Sequence, residues 1–218
     1  MDETPPAPPS ESPDPDPSAT GPAGLGPDSG GQEFGSTPSE DDDLRSSLAL
    51  LSRLATGRME LTDVLTRVAE YAVAAIPGAD GAGLTLIGAG RSDTVVASAP
   101  FVAEVDAIQY GINEGPCITA ASQGRTMRSG SLSTDRQWPR FRPRAARLGV
   151  HSSLSLPLMT AEGVLGAMHV YAHAPNTFDD RAGSIGELFS VPAAIAVQNA
   201  QVLAHAKQLA RQLETALT

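Results

Sequence analysis

The stretch LGVHSSLSLPLMTAEGVLGAMHVYA, residues 148–172, decides how the chain is read. In its first half Leu154, Leu156 and Leu158 alternate with Ser153, Ser155 and Pro157. A period of two gives a strand with one aliphatic face and one small, partly polar face. The second half, Val164 to Tyr171, is apolar on both faces, as suits a strand covered from both sides. Thr160, Ala161, Glu162 and Gly163 form the turn between them, with Gly163 free to take a positive φ. The aliphatic face calls for helices. The mixed face leaves room for a pocket.

Working outward, the segments on either side of this hairpin read as a mixed α/β (α+β) domain. Asp43 can cap a helix over Leu44–Ala55, and a second helix spans about Glu60–Ile76, stopped by Pro77-Gly78. Strands near Gly81–Ile87 and Asp93–Ala99 flank a Gly-Ala-Gly turn and pair as a second hairpin. Glycines 78, 81, 83, 88 and 90 belong to turns, because no phosphate-loop pattern follows a strand and opens a helix. Phe101–Gly111 reads as a short helix, and Pro116 suits the first position of another over Cys117–Ser122. Thr126–Ser131 reads as a strand and Trp138–Leu148 as a helix around Pro143. From Phe178 onward the pattern is one long helix, with Pro192 inside it.

Charge is unevenly placed. Residues 1–43 hold eleven of the 25 acidic residues, no basic ones, and ten of the 18 prolines. Such a segment buries too little surface to offset the entropy of ordering, so residues 1–43 are expected to be a disordered acidic tail. Residues 44–218 form the folded unit and are close to neutral, without the basic excess of a dedicated nucleic-acid binder. The arginines at 125, 128, 136, 140, 142, 144 and 147 are read as a solvated face around the aromatics Trp138 and Phe141. The start of the chain has neither a basic nor an apolar run, and no stretch approaches a membrane span. A cytoplasmic protein without membrane contact is the expectation.

Cys117 is the one cysteine, which excludes an intrachain disulfide and a multi-thiolate metal site. At a helix N-terminus it is either a reactive thiol or a small buried packing residue. His169 and His173 share a strand face about 13 Å apart, too far for one metal ion, so no metal site is expected. His169 reads as a structural or pocket histidine. No Ser-His-Asp order, nucleophile elbow or carboxylate pair points to catalysis, and no enzyme activity is expected.

In the terminal helix Leu188, Ile195, Val202 and Leu209 recur every seven residues, beside Phe189, Ala196, Leu203 and Ala210. An apolar seam that continues past the domain calls for a second chain, and a homodimer is expected.

Taken together, the segment order and the letters GADGAGLTL, EGPCITA, WPRFRPRAARLGVHSSLSLPL, GVLGAMHVYA and FDD resemble the GAF domain. More narrowly they resemble actinobacterial GAF domains that precede an ANTAR RNA-binding module. The resemblance implies a central antiparallel sheet, helices on one face and a small-molecule pocket on the other. It also implies a sensory role in signal transduction and transcription regulation, relayed through a helical dimer. An ANTAR module would begin near LARQLETALT, where this chain stops, so direct RNA binding is not expected. Carrying the fold over, the ligand-binding candidates are Thr85, Tyr110, Glu114, Cys117, Trp138, Ser153, Ser155 and His169, the ligand and any cofactor being unknown. Two alternatives stand beside this sensor: a ligand-free dimerisation module, and a redox sensor built on the Cys117 thiol.

Overall fold

A computed structural model describes residues 38–88 and 91–217. Residues 1–37 of the expected acidic tail, and residues 89 and 90 of the first hairpin's turn, lie outside the described residues. The helices are α1 (Pro38–Thr56), α2 (Leu61–Ala75), α3 (Pro100–Ile112), α4 (Pro116–Gln123), α5 (Arg142–Arg147) and α6 (Asp180–Ala216). The strands are β1 (Gly81–Gly88), β2 (Arg91–Ala97), β3 (Met127–Ser129), β4 (Ser152–Thr160) and β5 (Gly163–Ala172). They form one sheet in the order β2-β1-β5-β4-β3, with every described pairing antiparallel.

The central hairpin lies where the alternation puts it. β5 is the middle strand, which is why its residues are apolar on both faces. Thr160 pairs with Gly163 across the turn, and Gly163 adopts φ 125°. Pro157 lacks an N–H, yet it interrupts nothing. β3 pairs only with Ser153–Ser155, so β4 is already an edge strand at Pro157. A register shift between Leu158 and Met159 then turns Met159 out to solvent.

Two cores separate along the two faces of the sheet. Leu84, Leu154, Leu156, Leu158, Met168 and Val170 face α1, α2 and α6. The opposite face carries Ala167 and Tyr171 beneath Val102, Val105, Cys117, Ala120 and Phe141, supplied by α3, α4 and the approach to α5. Each fully buried leucine is worth about 1.5–3 kcal/mol, so the aliphatic face is the larger hydrophobic anchor.

α1 begins at Pro38, six residues ahead of the start that capping by Asp43 predicts. The acidic residues stabilise this extension. Glu40 and Asp41 lie in its first turn, where the helix dipole favours negative charge, and both meet Arg181 Nη2 at 3.1 and 3.2 Å. α6 starts as its sequence indicates: Asp179 caps it, accepting from Ala182 N–H at 2.8 Å. Its 37 residues run without interruption through Pro192. Phe189, Ala193, Ala196 and Val197 are buried in the core shared with α1, α2 and the sheet, whereas Leu188, Val191, Ile195, Val202, Leu209 and Leu213 are exposed.

Candidate functional site

The face of the sheet opposite α1, α2 and α6 carries two rows of residues in register. Met127, Ser155, His169 and Gly83 form one row across β3, β4, β5 and β1; Ser129, Ser153, Tyr171 and Gly81 form the next. Each is two residues along its strand from its counterpart, so both rows point the same way. α3 and α4 close over them. On α3 the buried stripe is Val102, Val105, Asp106 and Gln109, so helical spacing carries two polar side chains into an otherwise apolar contact.

These residues assemble a closed polar network. His169 Nε2 donates to Asp106 Oδ2 at 2.7 Å, and His169 Nδ1 lies 3.2 Å from Cys117 Sγ. Tyr171 Oη donates to the other Asp106 oxygen at 2.9 Å, and Gln109 Nε2 donates to Tyr171 Oη at 2.8 Å. The Gln109 amide oxygen accepts from the Cys117 backbone N–H at 2.9 Å, fixing the start of α4. Tyr110 Oη lies 3.3 Å from Cys117 Sγ and is hydrogen-bonded to Thr85 Oγ1. The result is a Cys117–His169–Asp106 array in which Tyr110 supports Cys117 and Tyr171 supports Asp106. Asp106, Gln109 and His169 are fully buried, and Cys117 is 1% exposed.

Two glycines make room for it. A Cβ on Gly83 would stand 2.4 Å from His169 Nε2, the atom that bonds Asp106. A Cβ on Gly115 would stand 2.2 Å from Gln109 Oε1. Both positions need the missing side chain for close approach.

Burial acts to pull the His169 imidazole down, but the Asp106 carboxylate and then Cys117 outweigh it and raise the group to about 10. His169 therefore keeps its proton at neutral pH. Burial, and then the neighbouring Cys117, push the Tyr110 phenol well above its ordinary value. Tyr171 is raised by burial and by Asp106. Both phenols stay protonated and able to donate.

Of the residues singled out from sequence, Thr85, Tyr110, Cys117 and His169 meet in this network. Ser153 and Ser155 lie on the same face, fully buried, and their hydroxyls have no hydrogen-bond partner among the described residues. Ser129 on β3 shares that condition. Glu114 and Trp138 stand apart as loop fasteners. Glu114 Oε1 accepts from the N–H groups of Arg140 and Phe141 at 2.6 and 3.0 Å, and Trp138 Nε1 donates to Thr119 Oγ1 at 2.9 Å. The sequence reading missed Asp106, Gln109 and Tyr171. The usable signal was the position of Asp106 and Gln109 on the Val102–Val105 stripe.

Among the described residues no cluster of three His, Cys, Asp or Glu side chains has the arrangement of a metal site. No described helix is long and apolar enough to cross a membrane.

No curated protein sequence matches the chain. Solved structures do, at low identity. A GAF domain of a phosphoenolpyruvate-protein phosphotransferase from Coxiella burnetii is 14% identical, with 74% of this chain and 96% of that one covered and a TM-score of 0.58. Free methionine-R-sulfoxide reductase from Neisseria meningitidis, solved in complex with its substrate, is 16% identical over 78% of this chain and 96% of its own, with a TM-score of 0.56. A GAF domain from Synechocystis in its photoproduct state is 15% identical, covers 67% and 98%, and gives a TM-score of 0.53. These likenesses speak for the fold. The family profile described as GAF domain matches residues 58–198, which take in both strand hairpins, the polar network and the first half of α6, and the chain belongs to the GAF domain family.

Proposed function

We propose that this chain is a non-enzymatic sensory unit of a signalling, transcription-regulatory system. It takes a small polar molecule on the serine-bearing face of the sheet and passes the change to a helical homodimer. The observation that carries the reading is the set of three buried hydroxyls, Ser129, Ser153 and Ser155, without partners among the described residues. A buried polar group left unpaired costs roughly 1–3 kcal/mol, and a bound molecule offering donors and acceptors removes that cost. Ser153 and Ser155 neighbour Tyr171 and His169 in register, so a ligand there meets the edge of the Asp106 network. That network reaches α3 and α4 at once, which links occupancy of the face to the elements covering it.

The test is native mass spectrometry of the purified protein, followed by thermal-shift panels of metabolites, nucleotides and haem. A copurifying small molecule, or a shift lost in Ser153→Val/Ser155→Val, is the expected result. Neither retention nor any shift would overturn the reading.

A second reading is favoured by the exposed apolar seam of α6. In it the chain is a ligand-free dimerisation module, and α6 is its working surface. Substitutions on the seam would then remove all function while changes at the serines leave it intact.

A further inference from the structure

Cys117 is more than a small residue in a core. Its sulfur lies 3.2 Å from a histidine whose far nitrogen is 2.7 Å from a carboxylate, at the N-terminal turn of α4. That is the constellation used to activate a thiol and to manage the proton of its leaving group. An independent observation lies beside it. Ser155 is the cross-strand neighbour of His169, on the face α4 covers, and its fully buried hydroxyl has no partner among the described residues. An unused donor and acceptor beside the histidine that meets this sulfur marks where a small oxygen-bearing molecule would be held. The closure of the site restricts its size, and hydrogen peroxide is little larger than water.

We infer that Cys117 is a peroxide-reactive thiol, with His169 as its proton donor, Asp106 as the group that orients His169, and Ser155 as the hydroxyl that holds the peroxide. This rests on the reading of the serine-bearing face as a ligand site and names the chemical class of one ligand for it. The Cys117 sulfur attacks one peroxide oxygen, and its thiol proton replaces the one that His169 gives up. The S–O bond forms as the O–O bond breaks, and the departing hydroxide takes the His169 proton and leaves as water. The sulfur is oxidised to a sulfenic acid by two electrons, and the peroxide is reduced by the same two. With one cysteine in the chain, no intrachain disulfide follows. Two equivalents of an external thiol return the sulfenic acid to the thiol, yielding their own disulfide and water. Each cycle thus consumes one peroxide per protein molecule.

The test exposes the full chain to hydrogen peroxide, quenches with catalase, and follows addition of one oxygen to Cys117 by intact and peptide mass spectrometry. The folded protein is expected to oxidise faster than the same protein unfolded in urea. His169→Asn is expected to slow oxidation by about 100-fold, the low end of general acid–base effects. Ser155→Ala removes a partnerless hydroxyl, so the protein should keep its fold while oxidation slows; this variant stands if His169→Asn unfolds. A folded Cys117 no faster than the urea-unfolded chain would overturn the proposal, as would an unchanged rate in Ser155→Ala. An inert thiol in a protein that still shifts with a metabolite defeats this inference and leaves the sensor reading in place. Failure of the metabolite panels beside rapid, Ser155-dependent oxidation defeats only the stable-ligand reading.

Discussion

Asp106 is the residue on which the polar network turns. It accepts from His169 and Tyr171 with full burial, so replacing it leaves an imidazolium without its counter-charge. Asp106→Asn should cost about 3–5 kcal/mol of unfolding free energy, the range for breaking a buried ion pair from one side, as read by urea denaturation. The same pair dictates a pH response. Folding raises His169 from 6.5 to about 10 against the opposing pull of burial, through Asp106 on α3 and Cys117 on α4, with Tyr110 and Tyr171 also in the network. The folded state therefore holds the proton more tightly than the unfolded chain. Its stabilising contribution is complete below about 6.5 and is lost as pH rises through about 10. Melting temperature should fall across that window in the wild type and fall less in His169→Asn. Equal slopes would remove His169 as the cause. Cys117 and His169 were both conspicuous in the sequence, but nothing local joined them. They are 52 positions apart, and α3 supplies the third member. Asp106 and Gln109 were overlooked because polar letters on a short helix look solvated unless their spacing is checked against the valines beside them.

At the scale of elements, the central hairpin was legible because period-two alternation is a direct imprint of which face is buried. The serines and His169 fell on the predicted face for that reason, and the two cores divide as the alternation requires. A one-residue slip would have exchanged them. Helix α1 was read too short, since acidic letters in a proline-rich neighbourhood look like tail. What stabilises its first turn is Arg181, which no local pattern could supply. The close approach of β1 to β5 and α3 makes its own prediction. Gly83→Ala forces a Cβ toward His169 and should destabilise the protein by about 1–3 kcal/mol, the usual cost of overpacking. Leu156→Ala on the opposite face should cost about 2–5 kcal/mol through lost burial and cavity formation. Chemical denaturation reads both costs, and the peroxide assay separates the two: only Gly83→Ala should disturb oxidation of Cys117.

At the scale of the whole molecule, α6 presents two stripes with different fates. One is buried in the core with α1, α2 and the sheet. The other, through Leu188, Ile195, Val202 and Leu209, is solvent-exposed at seven-residue spacing. The heptad seam was visible in the sequence; which of the two adjacent stripes would face the sheet was not, because both are apolar there. If a second copy covers the outer stripe, Val202→Asp/Leu209→Asp should give a monomer by sedimentation velocity with the wild-type circular dichroism spectrum. A wild type that already sediments as a monomer at micromolar concentration would end the dimer proposal.

The polar ties between α1 and α6 have a mechanical consequence. Arg181 meets Glu40 and Asp41, Asn199 donates to the Ala55 carbonyl, and Lys207 reaches Glu60 just beyond the end of α1. The order of these ties shows the two helices running in the same direction, joined near both ends of α1. Each tie is worth little at the surface, but they fix one axial offset: a slip of one turn, about 5.4 Å, would break every one of them together. Axial travel of α6 alone would break these ties, whereas tilt or twist of the pair as a unit would keep them.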